Sequence, residues 1–296
     1  MGATIEGPDQ GSHLPLQISG GDLHGIHHRS PVASAQIKTC LLLAGLQAAG
    51  ETIVEEPAAS RDHTERMLRY LQVPIEASPN RVIVKSINLQ NATSLSVPGD
   101  LSSAAFLLVA AAIVPGSSVT VTDVGLNPTR SGILDVLRRF GAEVNISAER
   151  EVCGEPWGTV TVSARDRRPV SIDGAEIVRT VDELPLVAVL GAYGEGETVI
   201  ADAGELRVKE SDRITTTAEA LGALGASVET TPDGLVVKGS GALSGGTVDS
   251  AGDHRIAMAF AVAGLAAAAP VEILGWDAVA VSYPRFLADL EELIER

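Results

Sequence analysis

Four stretches of the chain repeat one pattern of apolar and polar positions. Each opens on a polar turn, runs on as an Ala- and Leu-rich segment long enough for a helix, and closes on a short β-branched run introduced by Gly, Ser or Pro. They are SAQIKTCLLLAGLQAAGETIVEEP from Ser34, SSAAFLLVAAAIVPGSSVTVTDV from Ser102, DELPLVAVLGAYGEGETVIADA from Asp182, and DHRIAMAFAVAGLAAAAPVEIL from Asp253. Successive starts lie 68, 80 and 71 residues apart, the regularity of a multi-unit α/β fold. The pattern predicts strands at GETIV, SSVTV, GETVI and PVEI. Each leads into a second, amphipathic helix: RDHTERMLRYL, TRSGILDVLRRF, SDRITTTAEALGAL and YPRFLADLEELI. Three of these precede a further strand, LQVPIEA, FGAEVNI and LGASVET, and the Gly-Ala after the second and third fits a helix end that needs positive φ.

The first helix of every unit is apolar nearly all round (LLLAGL, AAFLLVAAAIV, LPLVAVLGA, IAMAFAVAGLAAAA), which predicts buried helices with sheets wrapped outside them. The opening MGATI matches FGAEV and LGASV, the segment that follows a second helix, so the chain is expected to enter its repeat midway. Counting units then gives residues 1–98 as an incomplete upstream domain and residues 99–296 as a second domain.

Composition narrows the function. With 38 acidic and 22 basic side chains the net charge is −16, against the basic excess of a nucleic-acid binder, and 3% aromatics leaves few platforms for stacking bases. The longest apolar run, Ile256 to Ala269, is shorter than the ~18 residues of a membrane span and contains a glycine. No basic-then-apolar leader opens the chain, and a cytoplasmic protein without membrane contact is expected. Two cysteines cannot make a disulfide framework: Cys40 reads as helix packing and Cys153 as a loop residue. No Walker loop, GxGxxG or HExxH occurs, and the histidines lack ligand spacing, so neither metal nor cofactor is expected. His24, His27 and His28 read as surface residues of a hairpin.

Candidate chemistry gathers at the unit openings. Arg207-Val208-Lys209-Glu210-Ser211-Asp212-Arg213 stands before a helix with Ser211 or Asp212 as cap. Lys209 and Arg213, four apart, could face one anion, or the stretch could be a salt-bridged helix entrance. Asp253-His254-Arg255 opens the most hydrophobic helix; Asp253 reads as a cap, and a half-buried Arg255 calls for a carboxylate or phosphate. Asp182 is either the cap of a helix whose first turn holds Pro185 or a general base beside cations. Ser34-Ala35-Gln36 and Ser60-Arg61-Asp62-His63 occupy the matching openings of the first unit. Equivalent openings would bring their polar ends to one mouth.

ELRVKESDRI, GDHRIAMAFAV, SAQIKTCLLLAGL and EPAASRDHTERML, four separated motifs in order, resemble the EPSP synthase family (3-phosphoshikimate 1-carboxyvinyltransferases), over essentially all 296 residues. The resemblance implies the enolpyruvyltransferase fold, an inside-out α/β barrel built from βαβαββ units. It implies transfer of the enolpyruvyl group of phosphoenolpyruvate to the 5-hydroxyl of shikimate 3-phosphate, with these two small anions as partners. By motif, Asp182 would take the 5-hydroxyl proton and Glu210 would relay a proton at the enolpyruvate C3. Ser34, Ala35, Gln36, Ser60, Arg61, Asp182 and Lys209 would contact shikimate 3-phosphate, and Gln36, Arg213, His254 and Arg255 phosphoenolpyruvate. Val281 stands where the resemblance places a further lysine. The family's PGSKS-type and NAGT-type segments do not occur, so the polypeptide alone is expected to show no turnover. The alternatives are a non-catalytic split or degenerate fragment that binds shikimate 3-phosphate or a complementing amino-terminal chain, and transfer to a UDP-sugar.

Overall fold

A computed structural model describes residues 1–87 and 94–294 and divides the chain into two compact units. Unit 1 is Met1–Val97 with Glu151–Glu155, and unit 2 is Pro98–Arg150 with Pro156–Arg296.

In unit 1, β1 (Thr4–Glu6), the turn α1 (Pro8–Gly11) and β2 (Gln17–Ser19) form a small antiparallel pair. There follow β3 (His27–Arg29), α2 (Ala35–Gly45), β4 (Glu51–Glu55), α3 (His63–Tyr70), β5 (Ile75–Ser78) and β6 (Arg81–Lys85). These strands make one sheet in the order β3-β4-β6-β5, with only β3 and β4 parallel. Leu42, Leu46, Val54, Leu68, Val73, Val82 and Val84 form the core of this unit.

Unit 2 repeats the arrangement. Its elements are α4 (Leu101–Ile113), β7 (Ser118–Gly125), α5 (Gly132–Phe140), β8 (Glu143–Val152), β9 (Glu155–Ser163), β10 (Ser171–Ile172), α6 (Ala175–Thr180), α7 (Leu184–Tyr193) and β11 (Glu195–Ile200). Then come α8 (Arg213–Ala223), β12 (Ser227–Thr231), β13 (Gly234–Ser240), β14 (Gly246–Asp249), α9 (His254–Gly264), β15 (Val271–Leu274), α10 (Val279–Ser282) and α11 (Phe286–Ile294). The sheet order β10-β11-β13-β12 reproduces that of unit 1, again with one parallel pair. In the sheet β7-β9-β8, Gly99 bridges Val124 in parallel where the first strand would lie. A parallel pair β14-β15 begins the last repeat.

Helices α4, α7 and α9 pack on one another, each with its strands outside: α4 on β7, α7 on β11 and β13, α9 on β15. All ten residues of α7 are buried, and in α4 all but Ser103. Such helices have no polar face to offer water, so mutual packing is the stable solution. The Tyr193 hydroxyl of α7 donates to the Ala263 carbonyl of α9 at 2.6 Å. Phe286 of α11 closes over Phe106 of α4, edge to face at 5.7 Å. Gly141 ends α5 at φ +106° and Gly225 follows α8 at φ +85°, as the Gly-Ala pairs predict. Among the described residues no helix is long and apolar enough to cross a membrane.

The inside-out arrangement of sheets over internal helices is as expected; among the described residues the sheets are separate, of two to four strands, with no closed barrel. Three expectations need correction. Helix α2 buries only Lys38, Leu42 and Gly45 and exposes Ile37, Cys40 and Leu43, so Cys40 is not packing. His27 and His28 lie on a strand paired in parallel with β4, not on a hairpin, because β3 is the first strand of a repeat and not part of a terminal meander. Asp182 does not cap α7: it sits in a 3-10 turn, Val181–Glu183, and Glu183 occupies the cap position without a capping bond.

A signature of the repeat emerges from packing. A Cβ on Gly45 would meet the Thr52 side chain at 2.7 Å, one on Gly191 would meet Thr198 at 2.8 Å, and one on Gly264 would meet Val271 at 3.2 Å. In three of the four repeats a glycine near the end of the first helix faces the strand residue seven positions on, whereas α4 has no glycine. Thr198 cannot retreat, since it is fully buried and its hydroxyl accepts the Val170 N–H at 3.0 Å. Gly191→Ala is therefore expected to cost ~1–3 kcal/mol through overpacking. A thermal melt reads this directly, and an unchanged Tm would show that the helix can lift from the sheet.

Candidate active site

In unit 2 the charged ends of the buried helices meet. Asp100 caps α4, accepting the Ser102 and Ser103 N–H groups at 3.3 and 3.1 Å, and Asp253 caps α9, accepting the Arg255 N–H at 2.9 Å. Asp182 and Glu183 open α7. Three arginines, Arg130, Arg213 and Arg255, are threaded among these carboxylates.

Arg130 donates to Asp100 at 2.9 Å and to the Ser102 hydroxyl at 2.8 Å, and its other amino group lies 3.6 Å from Asp182 Oδ2. Arg213, with 1% of its side chain exposed, donates to Asp253 at 2.7 and 3.3 Å and to Glu210 at 2.6 Å, and lies 3.9 Å from Asp182 Oδ1. Arg255 donates to the Asp182 carbonyl at 3.0 Å and approaches Asp182 Oδ2 at 3.7 Å and Glu183 Oε1 at 3.9 Å. Ser102 donates to Glu183, and Ser211 donates to Asp253 at 3.1 Å. Asp182 thus has three guanidinium groups around its carboxylate.

Electrostatics follow from this pairing. Burial works to raise the Asp253 carboxyl, but the bonds from Arg213, the Arg255 N–H and Ser211 outweigh it and hold the pKa below its usual value. Asp100 is lowered likewise, with Arg130 overcoming its burial. Glu183 behaves oppositely: full burial, helped by the charge of Asp182, pushes it up to about 7 against Arg255, Ser102 and Arg130. Burial and then the Arg255 charge lower His254, which leaves a neutral imidazole at pH 7.

Of the residues singled out in the sequence, Asp182, Glu210, Arg213 and Arg255 come together, with His254 beside them in the chain. Lys209 instead pairs with Glu205. Asp212, not Ser211, caps α8 through the Thr215 N–H at 3.2 Å. Val281 is 88% exposed on α10.

Unit 1 holds a second polar assembly. Ser34 caps α2, accepting the Ile37 N–H at 3.4 Å, while Ala35 and Gln36 form the first turn of that helix. The Ser34 N–H donates to Glu56 Oε1 at 3.0 Å, and the Ser60 hydroxyl donates to Glu56 Oε2 at 2.8 Å. One carboxylate therefore ties together two of the loops expected to bind phosphate. Lys38 lies 3.1 Å from Glu56 and 2.8 Å from Glu65, all three side chains being at most 5% exposed. Arg61 is half-buried in the loop before α3.

Sequence reasoning missed Arg130, Glu183, Lys38, Glu56 and Glu65. Arg130 sits in NPTRSG, the loop between β7 and α5 within one repeat, at the front of a stretch the sequence reads as helix, and Lys38 sits within an apolar helix. A lysine inside such a helix is itself the signal, because a buried ammonium requires a carboxylate.

A sequence profile of EPSP synthase (3-phosphoshikimate 1-carboxyvinyltransferase) matches residues 1–290. The chain is 50% identical over 296 residues to the 3-phosphoshikimate 1-carboxyvinyltransferase of Synechococcus sp. (strain JA-3-3Ab), covering 99% of this chain and 67% of that one. It is 48% identical over 293 residues to that of Shouchella clausii, covering 99% and 68%. The solved EPSP synthase of Acinetobacter baumannii superimposes with a TM-score of 0.88 at 39% identity, over 99% of this chain and 68% of that one. The enolpyruvyl transferase NikO of Streptomyces tendae, at 21% identity and a TM-score of 0.77, shares the fold. The chain spans about two thirds of the length of each relative.

Lys38→Met leaves Glu56 and Glu65 facing each other without their cation, and is expected to cost ~3–5 kcal/mol of stability. Adding Glu65→Gln should recover part of that loss, because the two positions are coupled. Denaturant titration of the single and double variants checks this; a cost below about 1 kcal/mol for the single change would contradict the buried triad.

Proposed function

The chain belongs to the EPSP synthase family, and on that premise we propose that it serves the reaction for which the family is named. The 1-carboxyvinyl group of phosphoenolpyruvate passes to the 5-hydroxyl of shikimate 3-phosphate, and phosphate is released. The hydroxyl oxygen bonds to C2 while C3 gains a proton. Loss of phosphate from C2 and of a proton from C3 then restores the vinyl group.

The observation that carries this reading is Asp182, held 3.6–3.9 Å from Arg130, Arg213 and Arg255 while Glu210 and Asp253 share Arg213. Phosphoenolpyruvate brings a phosphate and a carboxylate, for which paired guanidinium forks are the fitting partners. In this reading Arg213 and Arg255, with the neutral His254 next to Arg255 in the chain, receive phosphoenolpyruvate, and Gln36 of unit 1 is assigned to the same ligand. Asp182 accepts the 5-hydroxyl proton, and Glu210, half-exposed on Arg213, relays the proton at C3. Ser34, Ala35, Gln36, Ser60 and Arg61 on unit 1, and Asp182 and Lys209 on unit 2, are assigned to shikimate 3-phosphate. The names of the 47–50% identical relatives favour this acceptor over a UDP-sugar. A cytoplasmic setting belongs to the same proposal.

Calorimetric titration of phosphoenolpyruvate into the chain tests the reading. Binding is expected, and Arg255→Lys, which keeps the charge but loses the planar fork, should weaken it by about tenfold. Equal affinity in both proteins, or no heat from the folded wild type, would count against it. Neither a PGSKS-like nor an NAGT-like segment occurs in the 296 residues. Steady-state phosphate release by these residues alone is accordingly expected to be absent and to need a complementing chain that supplies them. Turnover at about 1 s⁻¹ or faster would refute that expectation.

A further inference from the structure

Glu183 has no part in the steps above, yet its side chain is only 3% exposed, and of the cluster's acids only Asp253 is more enclosed. The groups that face it come from every element around it. From α4 the Ser102 hydroxyl donates to its Oε1, and that same hydroxyl accepts from Arg130 at 2.8 Å. Arg130 is anchored in turn by Asp100. From α9 the Arg255 guanidinium stands 3.9 Å from Oε1, and from its own turn the neighbouring Asp182 carboxylate takes the other side of Arg255 at 3.7 Å. Arg255 is therefore shared by two adjacent carboxyl groups, only one of which, Asp182, also has Arg213 and Arg130 within ion-pair distance.

We propose that Glu183 is a positioning residue that couples proton binding to anion binding at Arg255. As a carboxylate it adds a second negative charge against the guanidinium and competes with an incoming anion. With a proton on its other oxygen it still accepts the Ser102 hydroxyl through Oε1, so α4 and α7 stay joined. Arg255 is then left to Asp182 and to the ligand. No bond other than O–H changes, and the proton comes from solvent.

Burial already places this carboxyl near neutrality, at about 7, so both forms are available to the working protein. An anion drawn to Arg255 withdraws from Glu183 the cation that most favours its charged form, and the protonated form gains. Anion affinity should then fall as pH rises through 7, by linkage between proton and ligand.

The inference rests on the reading of Arg255 as a phosphoenolpyruvate contact, and two measurements keep the two claims apart. Calorimetry with phosphoenolpyruvate compares the wild type with Glu183→Gln at pH 6 and pH 8, and the ratio at each pH cancels the ionisation of the probe. Equal affinities are expected at pH 6, and at pH 8 the variant should bind about threefold to tenfold more tightly. A variant that was merely damaged would bind more weakly at both. Carbon-13 NMR of the glutamate carboxyl groups in the ligand-free chain supplies the second readout. One signal, absent from Glu183→Gln, should titrate near pH 7, and Ser102→Ala should move its midpoint upward by removing a donor to the charged form. A Glu183 signal titrating in the ordinary range near pH 4–5 would overturn the inference whatever the binding data show. A signal near pH 7 with no phosphoenolpyruvate binding in either protein would overturn the substrate reading and the coupling together.

Discussion

The structure of unit 2 depends on one constraint: helices buried on all sides must still begin somewhere, and their beginnings are polar. Helices α4, α7 and α9 pack together because none has a hydrophilic face. Their N-termini then converge, and the carboxylates that cap or precede them come within reach of one another. Left alone, Asp100, Asp182, Glu183 and Asp253 would repel in a poorly solvated space. Arg130 and Arg213 resolve this by bridging carboxyl groups from different segments of the chain, and Arg255 reaches from α9 to the adjacent Asp182 and Glu183. The same pairing that lets the helices be buried also fixes three guanidinium groups in place before any ligand arrives. Preorganised charge of this kind is what an anion-handling site requires.

Unit 1 meets a related constraint differently. Its helix α2 carries Lys38 inward, where Glu56 and Glu65 hold it, and Glu56 spends its remaining capacity on the Ser34 N–H and the Ser60 hydroxyl. The two openings of the unit are thereby set by one buried acid. An overall charge of −16 is no obstacle to binding anions, since it does not say where the arginines are placed.

Much of this was legible in the sequence because periodicity and composition are local signals. The all-apolar runs foretold the internal helices, and Gly-Ala foretold the ends of α5 and α8. The unit openings were recognisable as polar clusters at equivalent repeat positions. What escaped notice depends on contacts between distant segments. Nothing in NPTRSG says that Arg130 will reach across to Asp100 and Asp182. Nothing local separates Asp182 from Glu183, although one is surrounded by cations and the other is enclosed and pushed toward neutrality. The exposure of Cys40 and Leu43 on α2 was likewise invisible, because an apolar run reports what a helix could bury and not what is present to cover it.

A crystal structure of the chain grown with phosphoenolpyruvate tests the central claim, that the carboxylate-locked arginines form the anion site, most directly. The account predicts ligand phosphate or carboxylate oxygens within hydrogen-bond distance of Arg213 and Arg255, with Asp182 and Asp253 keeping their places. Ligand bound elsewhere, with these arginines still closed on their carboxylates, would contradict it.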